Sequence, residues 1–220
     1  LRWRRIGLYR AYLAKACGIG LSPALQQLAG SLVNVSLQLA FAHWAADEAS
    51  ATAQVASLGI FQMVTMFFVM PLMGVQQGIA PVMGYNWGAR KDDRVFRVLR
   101  YGIIGATCIT LVAWLTGELT PAPVIHIFGA GPELTEKAVQ AFHFVVAAFP
   151  LVGAQMVIGN FFQSIGHAGK SIFLSVTRQM LFLIPLLAVL PKWWGLDGVW
   201  LAMPISDTIS FIAAVCMLRS

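Results

Sequence analysis

The chain has 220 residues, 58% of them hydrophobic and only 11% charged, with a formal charge of +6. A soluble core of this size cannot hide that much apolar surface, so the composition points to a membrane as solvent. The positive charge does not read as nucleic-acid binding, because Lys and Arg lie between apolar runs rather than on a patch with aromatic stacking positions.

In chain order, residues 1–20 come first and carry Arg2, Arg4, Arg5, Arg10 and Lys15, with Trp3, Ile6, Tyr9 and Leu13 at the spacing of one helical face. That pattern fits a cytoplasmic linker or an amphipathic helix lying on an anionic inner leaflet. Six apolar segments follow. A hydrocarbon layer of about 30 Å needs about 20 apolar residues in helical form, and lipid offers no partner for backbone polar groups. Spans are therefore predicted at 21–45, 51–84, 97–120, 134–163, 171–191 and 197–218, making residues 21–220 one transmembrane lobe of an all-α integral membrane protein. No period-two alternation runs over ten-residue units, so a transmembrane barrel is excluded.

The joints between spans set the orientation. Arg90, Lys91, Arg94, Arg97 and Arg100 follow the second span and Lys170 follows the fourth, whereas the opposite joints hold only Lys137 and Lys192 of the fifteen basic residues. The positive-inside rule then places both ends of the chain in the cytoplasm.

Polar groups at membrane depth are the functional candidates. Gln27, Ser31, Asn34 and Gln38 follow steps of four, three and four, so they share one face of the first span. Such a stripe should face a cleft or another helix, because lipid would leave it unsatisfied. Gln62 on the second span and Gln155 and Asn160 on the fourth join it as cleft candidates, with Met66 among adaptable Met and Phe neighbours. Interhelical hydrogen bonding is the structural alternative for all of them. Pro71, Pro81, Pro150 and Pro204 interrupt apolar segments and are candidate hinges or static bends.

One acid lies deep, Asp207 in the last span, and a charge there costs a few kcal/mol unless paired. Arg178 in the antiparallel fifth span falls within roughly 6 Å of the same level, given a rise of about 1.5 Å per residue. A structural ion pair and a proton- or cation-binding Asp207 both remain open. The three cysteines, Cys17, Cys108 and Cys216, and the four histidines show no metal-ligand or disulfide spacing, and the sequence has no P-loop or nucleophile elbow. No cofactor and no enzymatic activity are expected.

The stretch MPLMGVQQGIAPVMGYNWGARK from Met70 and FPLVGAQMVIGNFFQSIGHAGK from Phe149 match at an offset of 79, pairing Pro71 with Pro150, Gly74 with Gly153, Gln76 with Gln155 and Lys91 with Lys170. Internal repeats of this kind are common in secondary transporters. The run GVQQGIAPVMGYNWGARKDDRV resembles the end of the second helix of a lobe in multidrug and toxic compound extrusion (MATE) transporters. The stretch from FFQSIGHAGKSIFLSVTRQ to GLDGVWLAMPISDTISF is similar to the last two helices of the MepA-like branch of that family.

The resemblance implies twelve helices in two six-helix lobes, of which this chain is the carboxy-terminal one. It also implies a missing amino-terminal lobe as partner, residence in the bacterial cytoplasmic membrane, and export of small organic cations or drugs in exchange for protons or sodium ions. The NorM-like branch carries a Glu on the first helix of this lobe and an Asp on the fourth. At the corresponding places this chain has Ser31 and the Ala154/Gln155 pair, neither acidic, so the coupling acid is either Asp207 or a residue of the amino-terminal lobe. Alternatives are a lipid-linked sugar flippase of related plan and a six-helix assembly subunit that does not transport.

Overall fold

A computed structural model describes residues 10–127, 139 and 142–219. The amphipathic face built on Trp3, Ile6 and Tyr9 and the expected start of the fourth span at 134 lie outside the described residues. Among the described residues all regular structure is helical.

Helix α1 runs unbroken over Arg10–Trp44, so the boundary expected near residue 20 falls inside one helix. Helix α2 follows over Glu48–Gly88, its first turn capped by the Asp47 carboxylate, which accepts a hydrogen bond from Ser50 N at 2.8 Å. Its 41 residues make a rod of about 60 Å, twice the hydrocarbon thickness, so it must tilt or project into the interface. The chain then reverses within three residues, with Arg90 in the left-handed region at φ 56°. Arg90 N donates to Trp87 O and Lys91 N to Asn86 O, the pair of bonds that closes a Schellman turn.

Helix α3 covers Asp92–Leu119, and Asp92 and Asp93 in its first turn complement the positive end of the helix dipole. A short helix α4 (Pro121–Ile127) has no counterpart among the predicted spans; Pro121 starts it because its missing N–H is not needed at a first helical position. The fourth segment, predicted as one span over 134–163, is broken at Ala147–Ala148: residues 142–146 are helical, and α5 begins anew at Phe149 and runs to Ser164. Pro150 occupies the first turn of α5.

Gly166, at φ 81°, ends α5 in a second Schellman turn, with Gly166 N donating to Gln163 O and His167 N to Phe162 O. The fifth segment comprises α6 (Ala168–Val176), a π-helical stretch at Thr177–Leu183, and α7 (Ile184–Val189). The widened π stretch precedes Pro185, whose ring would otherwise meet the carbonyl of Leu181. The last helix, α8 (Pro191–Arg219), bends at Gly195, where φ is 55°, and contains Pro204. Pro71 and Pro81 likewise lie within α2.

Four of these segments, Glu48–Gly88, Asp92–Leu119, Gly169–Val189 and Pro191–Arg219, are long and apolar enough to cross a membrane. Helix α1 has the length as well, and it carries the amide stripe that lowers its hydropathy.

Helix α3 packs between α2 and α5, and α5 packs against α8, while α1 lies across α6 and also touches α2. Hydrophobic attraction between helices vanishes in lipid, so close contact depends on small residues. Gly153 is one such case between α5 and α3: a Cβ there would lie 2.8 Å from the Ala106 carbonyl oxygen and 2.7 Å from Thr110 Oγ1. Apolar side chains cluster at the two ends of the bundle. The cluster at the end that holds the α2–α3 turn centres on Leu72, Met83, Leu99, Val157 and Phe161. Two clusters at the other end centre on Phe41, Leu58 and Trp200, and on Val64, Ile125 and Phe142. Trp200 packs on Phe41 with ring centroids 4.9 Å apart, and its indole N–H donates to Gln54 Oε1 at 3.0 Å.

Gly153→Ala should lower stability by about 1–3 kcal/mol, because a backbone carbonyl cannot yield as a side chain can. Gly78→Ala, with nothing within 4 Å of the added carbon, is the control. Thermal unfolding of the two variants in the same detergent measures the difference.

Candidate functional site

The end clusters leave a cavity of about 500 Å³ at mid-depth, reached by side chains from all six segments. Its walls are largely apolar, with Leu37, Leu58, Phe61, Phe149, Leu183 and Met203. Amides interrupt them: Gln26 and Gln27 from α1, Gln62 and Gln76 from α2, and Gln179 from the π stretch. Arg178 and Asp207 stand together at the wall, with Arg178 Nε 3.0 Å from Asp207 Oδ1 and both side chains only partly exposed.

The π geometry contributes to this pairing. Residues in the widened turn have lost the regular i→i−4 ladder, and the Arg178 carbonyl accepts a hydrogen bond from the Ser206 hydroxyl at 2.7 Å. Two adjacent residues of α8 thus hold one residue of the fifth segment, through its backbone and its side chain. The sequence alone gives no sign of the π register.

A second, smaller pocket of about 60 Å³ adjoins the chamber and shares Gln26, Gln76, Met156, Arg178 and Gln179 with it. Gln155 and Asn160 line this pocket and not the chamber. Three buried amide atoms around it have no hydrogen-bond partner: Gln76 Nε2, Gln155 Oε1 and Gln179 Oε1.

Of the remaining candidates, Gln27 and Gln62 line the chamber. Ser31, Asn34 and Gln38 do not; Ser31 Oγ donates to Gln27 O at 3.1 Å, and Gln38 Nε2 to Asn34 Oδ1 at 2.8 Å, so these contacts stay within α1. The buried residues of α1 among those described are Ala29, Leu37 and Phe41, and Ala29 and Leu37 lie on a different side of the helix from the stripe. Met66 is 60% exposed and does not line the chamber. Gln76 and Gln179 are site residues that the sequence reading does not single out. The repeat contains a signal for the first, because Gln76 is the partner of Gln155 at the offset of 79.

Solved transporter structures share this arrangement of helices. The structure of the MATE multidrug transporter DinF-BH superposes with a TM-score of 0.81 at 33% identity, covering 95% of this chain and 46% of that one. An outward-facing multidrug resistance MATE family transporter of the MOP superfamily gives a TM-score of 0.90 at 21% identity and 48% coverage of that chain, a likeness of fold alone. The chain therefore has the fold of part of a multi-pass membrane transporter.

Among curated relatives, the multidrug export protein MepA of Staphylococcus haemolyticus (strain JCSC1435) is 24% identical over 170 residues, 76% of this chain and 36% of the relative. MepA of Staphylococcus aureus (strain NCTC 8325 / PS 47) is 22% identical over 207 residues, 92% of this chain and 43% of the relative. The chain thus spans less than half the length of these relatives. The MatE family model matches residues 27–189, and the chain belongs to the MatE family.

Removing one member of the Arg178–Asp207 pair strands a partly buried charge, so Asp207→Asn and Arg178→Gln should each destabilise by on the order of 3 kcal/mol. The double variant should recover much of that loss. A double-mutant cycle of unfolding midpoints in detergent checks the coupling.

Proposed function

We propose that this chain forms the carboxy-terminal lobe of a secondary active antiporter that exports small cationic or amphipathic organic compounds in exchange for protons or sodium ions. The mid-depth chamber is the observation that carries the reading. Its aromatic, methionine and aliphatic walls present contact surface without a fixed shape, and its amides offer dispersed, uncharged hydrogen-bonding groups. Such a lining accepts varied amphipathic molecules, because Met and aromatic surfaces adapt to many outlines. MepA relatives named as multidrug export proteins support the same direction.

In this reading an amino-terminal six-helix lobe faces the chain, and rocking of the two lobes exposes the shared cleft alternately to each side of the bacterial cytoplasmic membrane. Pro71, Pro81, Pro150 and Pro204 supply the bends about which the helices adjust. Helix surface not covered by this chain, including Met63, Met66, Phe67 and Met70 on α2, contacts the other lobe or lipid. Arg178 and Asp207 brace the fifth segment against α8, while the coupling carboxylate lies in the facing lobe.

Efflux of a lipophilic cation from proteoliposomes, driven first by an imposed proton gradient and then by a sodium gradient, tests the activity. One gradient should accelerate efflux and the other leave it near the leak rate; no acceleration by either would overturn the antiporter reading. With Asp207→Asn, the amount of folded protein should fall while gradient-driven turnover per molecule persists. Topology has its own measurement. A cysteine replacing Arg94 should react with a membrane-impermeant maleimide only in inside-out vesicles, and one replacing Lys192 only in right-side-out vesicles.

A further inference from the structure

The small pocket beside the chamber has a different chemistry from the chamber itself. No carboxylate lines it, whereas Arg178 does, and Asp207 contributes only to the larger cavity. Asp207 meets the guanidinium at Nε. Because that group is a rigid planar fork, a contact at Nε leaves the far terminal nitrogen outside the pair. The pocket therefore has a cationic donor edge that Asp207 does not cover.

Gln155 is 5% exposed and its Oε1 has no partner. Gln179 Oε1 is a second buried acceptor without a partner, and Gln76 Nε2 is a buried donor without one. Buried polar groups of this kind cost free energy unless something satisfies them. An organic cation is a poor occupant, because it would approach Arg178 with no acid in the pocket to offset the repulsion. A carboxylate is also incomplete, since it brings no donor for the two amide oxygens. An uncharged group that donates and accepts at once satisfies both kinds of orphan.

We propose that this pocket, walled by Gln76, Gln155, Gln179 and Arg178, is a subsite for the neutral carboxamide-type head of an amphipathic ligand whose apolar body occupies the adjoining chamber. The carbonyl of the head accepts from Arg178 and Gln76 Nε2, and its N–H groups donate to Gln155 Oε1 and Gln179 Oε1. The proposal rests on the chamber receiving the transported compound, and it adds that this lobe selects among such compounds by hydrogen bonding rather than by charge.

Two dansyl probes matched in length, one ending in a primary carboxamide and the other in a trimethylammonium group, are titrated against the purified protein in lipid nanodiscs. Gln155→Met keeps the volume of the side chain and removes the amide. It should weaken the carboxamide probe about tenfold, the worth of a lost buried hydrogen bond, and weaken the ammonium probe by much less. Equal loss for both probes, or no loss for either as in a pocket that holds only water, overturns the subsite. Failure of both probes to bind the unmodified protein would instead sink the chamber as a ligand site. A second readout does not depend on Gln155→Met folding. Asn160 lines the small pocket and not the chamber, so a cysteine replacing Asn160 should be shielded from maleimide by the carboxamide probe and not by the ammonium probe. Equal shielding by both overturns the proposal.

Discussion

Hydrocarbon offers no hydrogen bonds, and this constraint governs every polar group that the chain carries into the bilayer. The responses are graded by what each side chain can reach. Hydroxyls such as Ser57 and Thr110 turn back onto the carbonyl four residues earlier, at 2.9 Å and 3.1 Å, and so need no neighbour. Asp207 cannot do this, because a carboxylate finds no donor along its own helix, and it takes Arg178 from the antiparallel segment. The glutamines are long enough to reach across helices, and those that find nothing there converge on one pocket.

The same constraint shapes the backbone. Pro185 disturbs the regular ladder of the fifth segment, and the chain widens into π geometry one turn earlier. The Arg178 carbonyl in that stretch is met by the Ser206 hydroxyl, next in sequence to Asp207. The irregular turn and the deep ion pair are thus parts of one contact between the fifth segment and α8. Elsewhere, contact is made by removing side chains: Gly153 lets α5 approach the Ala106 carbonyl of α3, and Gly198 lets α8 lie against the Leu190 carbonyl.

The internal repeat has two structural outcomes. Both copies end in a Schellman turn, but the left-handed residue is Gly166 in the second copy and Arg90 in the first, which are 76 residues apart rather than 79. The first copy therefore runs nearly one turn further before reversing, past the glycine at 88. The repeated glutamines, in contrast, keep their relation, and Gln76 and Gln155 line the same pocket from α2 and α5.

Residue order alone determined the membrane class, the helical content, the family resemblance and the facing levels of Arg178 and Asp207, because these depend on hydrophobic length, on motif strings and on a rise per residue that every α-helix shares. It did not determine which way an amide points. The stripe of Gln27, Ser31, Asn34 and Gln38 is one face by periodicity, yet only Gln27 reaches the chamber, since the rotation of α1 is set by Leu37 and Phe41 packing on other helices. Nor did it show the break before Phe149 or the π stretch, which arise where local helix register meets tertiary contact. Tertiary packing alone decided that Gln76, Gln155 and Gln179, each an ordinary amide in its own segment, stand around one space.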